Sequence, residues 1–434
     1  MTHEKSDQHP CAEDVEDALL DGDRPFVPGT AMSALRHRTF RVVFAGAFLS
    51  NIGTWMQSAV LAGYGYSLTK SASFVGLLWF AQLGPSVVLS VVGGWIADLV
   101  DRRKLLIWLT VEQLVFAVVL ALITRADDPS RVGIVLVVLA MGIGQALYAP
   151  AYSAVLPALV GSNDLSGAIS LNSAQMNGSR VVGPVVGGLL LHAYGPSWVF
   201  AGNAATYLFV VAALLAVRFP PRTTVARRDL RELLVGFQVA RDDRLVGRAL
   251  VTVVLFSAFA LTFVGQLATV TEENLGISST SAGYGFLYGA FGVGAMLGAL
   301  SIGTVLAGRD KPQLVRTSML GYSIALAVFA LLRSPTPAYV VITILGFFYF
   351  AMITSLSTAL QERLDDSVRG RVMALWIMGF GGTVGVANLF IGPVIDATSV
   401  TAVLLFNAAV ALALCFYADV RVPGGAPERV GVPS

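Results

Sequence analysis

Long stretches without a charged residue dominate the hydropathy pattern of this 434-residue chain. From residue 40 onward the apolar segments reach about 20 residues or more, which is enough to cross a hydrocarbon layer of about 30 Å as an α-helix. Apolar residues are continuous within these segments and do not alternate with polar ones, which excludes the strands of a membrane β-barrel. The pattern predicts an all-α polytopic membrane protein with twelve transmembrane helices.

Two prolines, Pro150 and Pro157, interrupt the fourth apolar segment, so the division between the fourth and fifth helices is the least sharply defined. The predicted spans are 40–64, 73–97, 105–124, 132–158, 164–192, 196–217, 247–271, 281–307, 314–333, 336–360, 369–394 and 399–420.

The longest polar connection, 218–246, divides the twelve spans into two groups of six. We therefore predict a six-helix bundle over 36–217 and a second over 247–421, with a short tail at 422–434. Apolar residues recur at helical spacing within the connection, which predicts an amphipathic helix on the inner membrane surface. Those residues are Leu230, Leu233, Leu234 and Phe237.

Residues 1–35 differ in composition from everything that follows. Eight acidic and two basic residues lie within the first 26 positions. This stretch lacks the basic start and apolar core of a secretory signal, and its charge predicts a disordered cytoplasmic tail.

Lysine and arginine placement predicts the orientation of the chain. Twenty-four of the 29 basic residues fall on the side that carries both termini, and Arg180 lies inside a span. The positive-inside rule therefore places both termini in the cytoplasm. We call that side the predicted inner face. The predicted outer face carries the four remaining basic residues, Lys70, Arg125, Arg131 and Arg333.

Composition agrees with a membrane protein, since 55% of the residues are hydrophobic and only 13% are charged, against about 25% charged in soluble chains. The two halves also resemble each other weakly, because 156–175 can be laid over 360–379. Duplicated bundles that rock about a central site are typical of secondary transporters. No metal-ligand cluster, nucleotide-binding glycine pattern or nucleic-acid-binding region is recognised, and no cofactor is expected.

The connection between the second and third spans, within 93–108, carries acidic and basic residues close together. Its basic residues fit a simple topology signal, but Asp98 ends an apolar helix, where an unpaired carboxylate is costly. Gly94, one turn earlier, would let another helix approach closely. This arrangement favours an ionic latch between helices, with topology signalling alone as the alternative.

The run Gly94-x-x-x-Asp98-x-x-x-Arg102-Arg103 resembles the signature loop between helices 2 and 3 of the major facilitator superfamily. Segments 50–60, 68–78, 81–88 and 369–375 resemble its bacterial siderophore exporters and macrolide efflux pumps. The resemblance implies two pseudo-symmetric six-helix bundles that alternate between inward-open and outward-open states. It further implies that Asp98, with Arg102 and Arg103, contacts the start of helix 11 near Arg369 and Arg371.

A second motif lies within the fifth span. Gly183 and Pro184, followed by Gly187 and Gly188, resemble the antiporter motif of drug–proton exchangers, with Ser179 where the full pattern has glycine. Proline removes a backbone donor and glycines permit close helix packing. The motif favours export, and the alternative is a closely packed helix with no role in coupling.

Two charged residues lie inside spans, where a charge is a functional hypothesis by default. Arg180, near the middle of the fifth span, is predicted either to meet an anionic substrate or an acid, or to bond to helix-end carbonyls. Glu112 in the third span is the predicted proton carrier, and the alternative is that it extends to the inner membrane surface. Glu272 and Glu273, at the outer end of the seventh span, are weaker candidates for the proton carrier, and they are predicted to be simply solvated.

The resemblance implies a substrate path lined by helices 1, 4, 7 and 10. Few polar residues there are charged, which suits bulky amphipathic organic molecules. The candidate binding residues are Asn51, Gln57, Gln145, Tyr148, Gln266 and Tyr349. The sequence therefore predicts a monomeric exporter of the bacterial inner membrane that uses the proton gradient to move an amphipathic molecule. An importer or uniporter of the same fold and a non-transporting membrane sensor are the alternatives.

Overall fold

The computed structural model describes residues 29–89, 96, 99–161, 163–217, 231–418 and 430. Residues 1–28 of the predicted acidic tail lie outside the described residues, as do Gly94, Asp98 and nearly all of the chain after residue 418. Within the described part the secondary structure is helical apart from one isolated bridge between Leu364 and Val430.

The described residues of the N-terminal half contain one short helix and six helices of 12 residues or more. In chain order they are α1 (Ala31–Arg36), α2 (Arg38–Thr69), α3 (Ala72–Leu83), α4 (Arg102–Ile123), α5 (Arg131–Val160), α6 (Leu165–Tyr194) and α7 (Pro196–Ala216). Pro150 and Pro157 lie inside the continuous helix α5, so the uncertain fourth span is a single helix.

The described parts of the connection and of the C-terminal half contain ten further helices. They are α8 (Arg231–Asp242), α9 (Arg244–Leu255), α10 (Thr262–Gly265), α11 (Leu267–Glu273), α12 (Ala282–Gly303), α13 (Lys311–Leu331), α14 (Pro335–Arg363), α15 (Asp366–Ile377), α16 (Thr383–Ala397) and α17 (Val400–Tyr417). The seventh span consists of α9, a π-helical turn at Phe256–Ala260, α10 and α11. The eleventh joins α15 to α16 through a second π-helical turn, Met378–Gly382.

The twelve predicted spans are confirmed. Ten helices within the described residues are apolar and long enough to cross a membrane. The other two are α2 and α6, which have 32 and 30 residues and are more polar. Those two helices carry Asn51, Gln57 and Arg180, which are among the polar residues that lower their hydropathy.

The two halves meet along two helix pairs, α6 with α12 and α3 with α16. Glycines allow these close approaches. A Cβ atom on Gly188 would lie 2.7 Å from the Cα atom of Gly285, and one on Gly392 would lie 2.5 Å from the carbonyl oxygen of Ala72. The largest apolar cluster of the described residues continues across this contact, because it includes Ala59, Tyr66 and Trp79 of the N-terminal half together with the core of the C-terminal half. The halves therefore meet along a closely packed, glycine-containing contact.

Helix α1 is a difference from the predicted tail, which extended to residue 35. Its N-cap is Thr30, whose hydroxyl accepts a hydrogen bond from the backbone of Ser33. Asp164, in the turn before α6, accepts hydrogen bonds from Gly29 N at 3.1 Å and Ser33 Oγ at 2.7 Å, and pairs with His37 Nε2 at 2.8 Å. These hydrogen bonds, with Ser33 first, lower the pKa of Asp164 from 3.8 to about 2.

The amphipathic helix predicted in the connection is present as α8. It packs on α15, where a Cβ atom on Gly236 would lie 3.1 Å from the carbonyl oxygen of Arg371. Val239 is fully buried, whereas Phe237 is 54% exposed. The helix therefore has one face on the C-terminal bundle, and its contact with the membrane surface stays a prediction.

Candidate functional site

A cavity of about 160 Å³ lies inside the N-terminal bundle, between α2, α4, α5, α6 and α7. It occupies the half of the bundle nearer the predicted inner face, because its α2 and α6 residues come early in those helices and its α5 and α7 residues come late. Three of the predicted binding residues, Asn51, Gln145 and Tyr148, line it. Gln145 is exposed, so the cavity is open rather than sealed.

Sequence reasoning missed most of the remaining polar lining. The additional polar residues are Ser50, Thr54, Thr110, Gln113, Tyr152, Ser153, Asn172 and Tyr207. Helical spacing was the available signal, since Ser50 and Thr54 share a face of α2 and Tyr148 lies one turn from Tyr152. The rings of those two tyrosines stack at 5.9 Å with an interplanar angle of 13°. The lining thus combines hydroxyls and amides with a flat aromatic surface.

Gln57 lies beside this cavity in a buried hydrogen-bond network. Its Oε1 accepts a hydrogen bond from Asn203 Nδ2 at 2.8 Å. Because both side chains are buried, this bond satisfies polar groups that would otherwise destabilise the bundle. The geometry therefore gives Gln57 a role in holding α2 against α7.

Glu112, the predicted proton carrier, lies between α4 and α5, where a Cβ atom on Gly144 would meet its carboxylate. Gln113 Nε2 donates a hydrogen bond to Glu112 Oε2 at 3.1 Å, and Gln113 Oε1 accepts one from the hydroxyl of Tyr207 at 3.4 Å. Gln113 and Tyr207 both line the cavity. Glu112 is therefore connected to the cavity through side-chain hydrogen bonds, although it does not itself line it.

The other two predicted binding residues belong to the C-terminal half. Gln266 Nε2 donates a hydrogen bond to the carbonyl of Ala72 at 3.2 Å, which joins the two halves. Tyr349 lies in an aromatic cluster and stacks on Phe256, Phe291 and Phe380 at centroid distances of 6.2, 5.7 and 6.5 Å. Of the six predicted residues, Asn51, Gln145 and Tyr148 line the cavity described above, and their role in binding stays a prediction.

Arg180 lies where the two halves meet. Its guanidinium carbon is 5.0 Å from the centroid of the Trp55 ring of α2 and 4.8 Å from that of the Phe350 ring of α14. Among the described residues its Nε has no hydrogen-bond partner. The predicted alternative of bonds to helix-end carbonyls is not observed, and the charge is held between two aromatic faces.

The halves are joined by polar contacts at the predicted outer face. The Tyr66 hydroxyl donates a hydrogen bond to Glu273 at 2.8 Å, and Lys70 pairs with Glu272. The prediction that both glutamates are merely solvated is wrong, because each bonds to α2 or the residue that follows it.

Asp396, at the end of α16, makes a second outer contact that sequence reasoning missed. It accepts hydrogen bonds from the backbone N–H groups of Ala72 and Ser73 at 2.7 and 2.9 Å. It also accepts from the hydroxyls of Ser71 and Ser73 at 2.8 and 2.5 Å. Asp396 therefore caps the start of α3 from the opposite half. The sequence feature that could have indicated this contact is the spacing Gly392-x-x-x-Asp396, which repeats that of Gly94-x-x-x-Asp98.

Gly94 and Asp98 of the predicted inner latch lie outside the described residues. Arg103 donates hydrogen bonds to the carbonyls of Leu214 and Leu215 at 2.8 and 2.9 Å. It therefore holds the end of α7 in its own half. Arg369 donates to the carbonyl of Leu364 at 3.1 Å. The latch stays a prediction for all of its residues, which are Gly94, Asp98, Arg102, Arg103, Arg369 and Arg371.

The predicted antiporter motif occupies two packing faces of α6. Cβ atoms on Gly183 and Gly187 would lie within about 3 Å of α2 atoms, whereas one on Gly188 would meet α12. Pro184 contributes a carbonyl oxygen that faces Gly285 of α12. The motif thus brings α6 into close contact with its own bundle and with the other one, which accounts for the small residues. A role in proton coupling stays a prediction.

Within the described ranges no group of three or more His, Cys, Asp or Glu side chains could hold a metal ion.

Comparison with solved structures identifies the architecture. A D-xylose–proton symporter matches with a TM-score of 0.71 and 15% identity, over 90% of this chain and 99% of that one. The nucleoside transporter NupG matches with a TM-score of 0.69 and 14% identity, over 87% of this chain and 98% of that one. At these identities the likeness establishes the fold alone.

Sequence comparison gives the family. The enterobactin exporters EntS of Shigella boydii serotype 4 and of Escherichia coli O139:H28 are each 30% identical to this chain over 346 residues, which cover 78% of it and 81% of each exporter. The profile of the family described as transmembrane secretion effector matches residues 29–428. The chain therefore belongs to this family of major facilitator superfamily membrane transporters.

Proposed function

We propose that this protein exports an amphipathic small molecule across the bacterial inner membrane in exchange for protons, with both termini in the cytoplasm. The observation that carries the proposal is the position of the cavity. It opens in the half of the N-terminal bundle nearer the predicted inner face, while Tyr66, Lys70 and Asp396 join the halves at the opposite face. This arrangement suits loading from the cytoplasm.

The cavity lining supports an organic substrate with both polar and apolar surface. Stacked Tyr148 and Tyr152 supply an aromatic platform, and Asn51, Gln145 and Asn172 supply hydrogen-bonding amides. Binding sites of this composition orient a largely apolar molecule through a few polar groups. The similarity to enterobactin exporters supports outward transport.

Glu112 supports the proton-coupled part of the proposal. It is a partly buried carboxyl group in an apolar helix, and Gln113 is its described hydrogen-bond donor. Ionisable groups inside membrane spans commonly serve in proton pathways. The hydrogen bonds from Glu112 through Gln113 to Tyr207 would let a change of protonation alter the polar lining of the cavity.

The test uses everted membrane vesicles that contain the full chain, energised by respiration so that the lumen is acidic. Ethidium and naphthalene-2-sulfonate serve as a cationic and an anionic probe. We expect the wild type to accumulate at least one probe in the lumen, and a protonophore to abolish that accumulation. Glu112→Gln should transport no faster with the gradient than without it.

Glu362→Gln is the matched control, because Glu362 is an exposed acid at the end of α14. It should behave as wild type. Gradient-independent movement of both probes in the wild type would contradict proton coupling and favour a uniporter. Failure to move either probe in vesicles that contain the folded protein would contradict export of amphipathic aromatic molecules.

A further inference from the structure

We propose that Arg180 is the anchor of a binding site for an organic anion with an aromatic body. The inference rests on the proposed function, because it assigns the charge of the molecule that is exported. It concerns a place distinct from the cavity lining, where helices of both halves meet around one guanidinium group.

Arg180 has no acidic partner within the described part of the chain. Neither an ion pair nor a hydrogen bond is observed for it there, and its contacts are the rings of Trp55 and Phe350. Aromatic faces attract a cation, but ring faces leave its five N–H donors without strong acceptors. A guanidinium in the middle of a transmembrane helix therefore retains unused hydrogen-bonding capacity.

A hydroxyl close to Arg180 is also unused. Tyr288 of α12 is 2% exposed, and its hydroxyl has no hydrogen-bond partner among the residues described. Tyr288 lies one turn before Gly292 on α12, where a Cβ atom would lie 2.8 Å from the carbonyl oxygen of Arg180, and Tyr349 contacts Phe350, whose ring faces the guanidinium. An oxyanion beside Arg180 would accept from its buried Nε–H and from the buried Tyr288 hydroxyl, and so satisfy both donors together.

Aromatic rings beside the guanidinium suit the apolar part of the ligand. Tyr349 meets Phe350 edge to face at 4.6 Å and stacks on Phe291 at 5.7 Å. These rings continue the aromatic surface from the guanidinium into the C-terminal half. A flat aromatic body attached to the anion would therefore bury its surface on these rings.

One face of α2 connects this site with the cavity. Asn51 and Trp55 are four residues apart on α2 and so share a face of that helix. Asn51 lines the cavity, and Trp55 contacts Arg180. A ligand that enters through the cavity would reach Arg180 along this face. Once there it would touch both halves, which is the position from which binding can bias their relative arrangement.

The test is equilibrium binding to the purified full chain, measured calorimetrically without any gradient. Naphthalene-2-sulfonate and naphthalene-2-sulfonamide have the same aromatic body and differ in charge at neutral pH. We expect the wild type to bind the sulfonate at least about tenfold more tightly than the sulfonamide. Arg180→Gln should lose that preference, and Arg180→Lys should keep part of it, because lysine retains the charge without the planar fork.

Arg125→Gln is the matched control, since Arg125 is exposed on the predicted outer face; it should bind as wild type. Equal binding of the two probes by the wild type would overturn the proposal, and this result needs no variant to fold. Equal loss of both probes in Arg180→Gln would also overturn it, because Arg180 would then be structural. If the wild type binds the sulfonate preferentially but shows no proton-driven export, the result supports the Arg180 site and contradicts the proposed proton coupling.

Discussion

Asp396 offers the sharpest test of how the predicted outer face is held closed. Its carboxylate accepts hydrogen bonds from Ser71, Ala72 and Ser73 in the other half. An Asp396→Ala substitution removes these bonds without adding bulk. We expect it to shift the equilibrium of the transporter toward states in which the predicted outer face is open.

The size of this shift follows from the kind of contact that is lost. Removing an N-cap side chain costs about 0.5–2 kcal/mol, and exposed charge interactions contribute less than about 1 kcal/mol. Asp396 is exposed, but its carboxylate accepts four hydrogen bonds from the other half. We therefore expect the closed state to lose about 1–2 kcal/mol, which corresponds to roughly a 5–30-fold change in the ratio of open to closed states. Asp396→Asn should have a smaller effect, because asparagine also serves as an N-cap.

Ser279 provides the reporter for opening. It lies between α11 and α12 with no exposed surface, and its carbonyl oxygen would collide with a Cβ atom on Gly63 of the opposite half. A Ser279→Cys variant, with Cys11 and Cys415 replaced by serine, should react with a membrane-impermeant maleimide only when the halves separate. Adding Asp396→Ala should raise the labelling rate roughly 5–30-fold, in line with the population shift.

Two controls separate opening from other effects. Ser278 is exposed, so Ser278→Cys should label at the same rate with or without Asp396→Ala. Asp127→Ala removes an exposed acid from the loop between α4 and α5 and should leave Ser279→Cys labelling unchanged. An unchanged rate at Ser279→Cys in the Asp396→Ala background would contradict this role of Asp396, since the cap would then contribute nothing to closure.

Two further predictions concern other contacts. Gly188→Leu should reduce transport at least about tenfold while the protein still reaches the membrane, because Gly188 lies against Gly285; Gly303→Leu, where the added side chain meets open space, should transport normally in the same vesicle assay. Because the pKa of Asp164 is lowered from 3.8 to about 2, its stabilisation of α1 is fully present above pH 3.8 and lost as the pH falls through about 2. Hydrogen exchange in 29–37 should thus stay slow from neutral pH down to about pH 4, yet rise at neutral pH in Asp164→Asn.

The sequence alone could predict the helices because an apolar stretch of about 20 residues has the length that a helix needs to cross the hydrocarbon layer. It also identified the close packing of Gly183 and Gly188, since small residues at helical spacing in an apolar helix are typical of helix–helix contacts.

Contacts between distant segments could not be predicted in the same way. Asp396 and Ser73 are 323 positions apart, and no local pattern shows that one helix end meets another. The same holds for Arg180 between Trp55 and Phe350. Aromatic residues are common in membrane helices, and the sequence does not show which of their rings lie next to Arg180. Gln57 was predicted to bind substrate, but an amide in a span serves helix packing equally well, as its bond to Asn203 illustrates.

Proton exchange is the central property proposed for this transporter, and the most direct measurement follows protons themselves. Purified protein is reconstituted into liposomes that contain a pH-sensitive dye, and a gradient of naphthalene-2-sulfonate or ethidium is applied at uniform starting pH. If the protein is a proton antiporter, probe entry through the wild type drives protons out and raises the internal pH, and probe exit lowers it. Glu112→Gln produces no pH change. Probe movement through the wild type with no change in internal pH would contradict proton antiport.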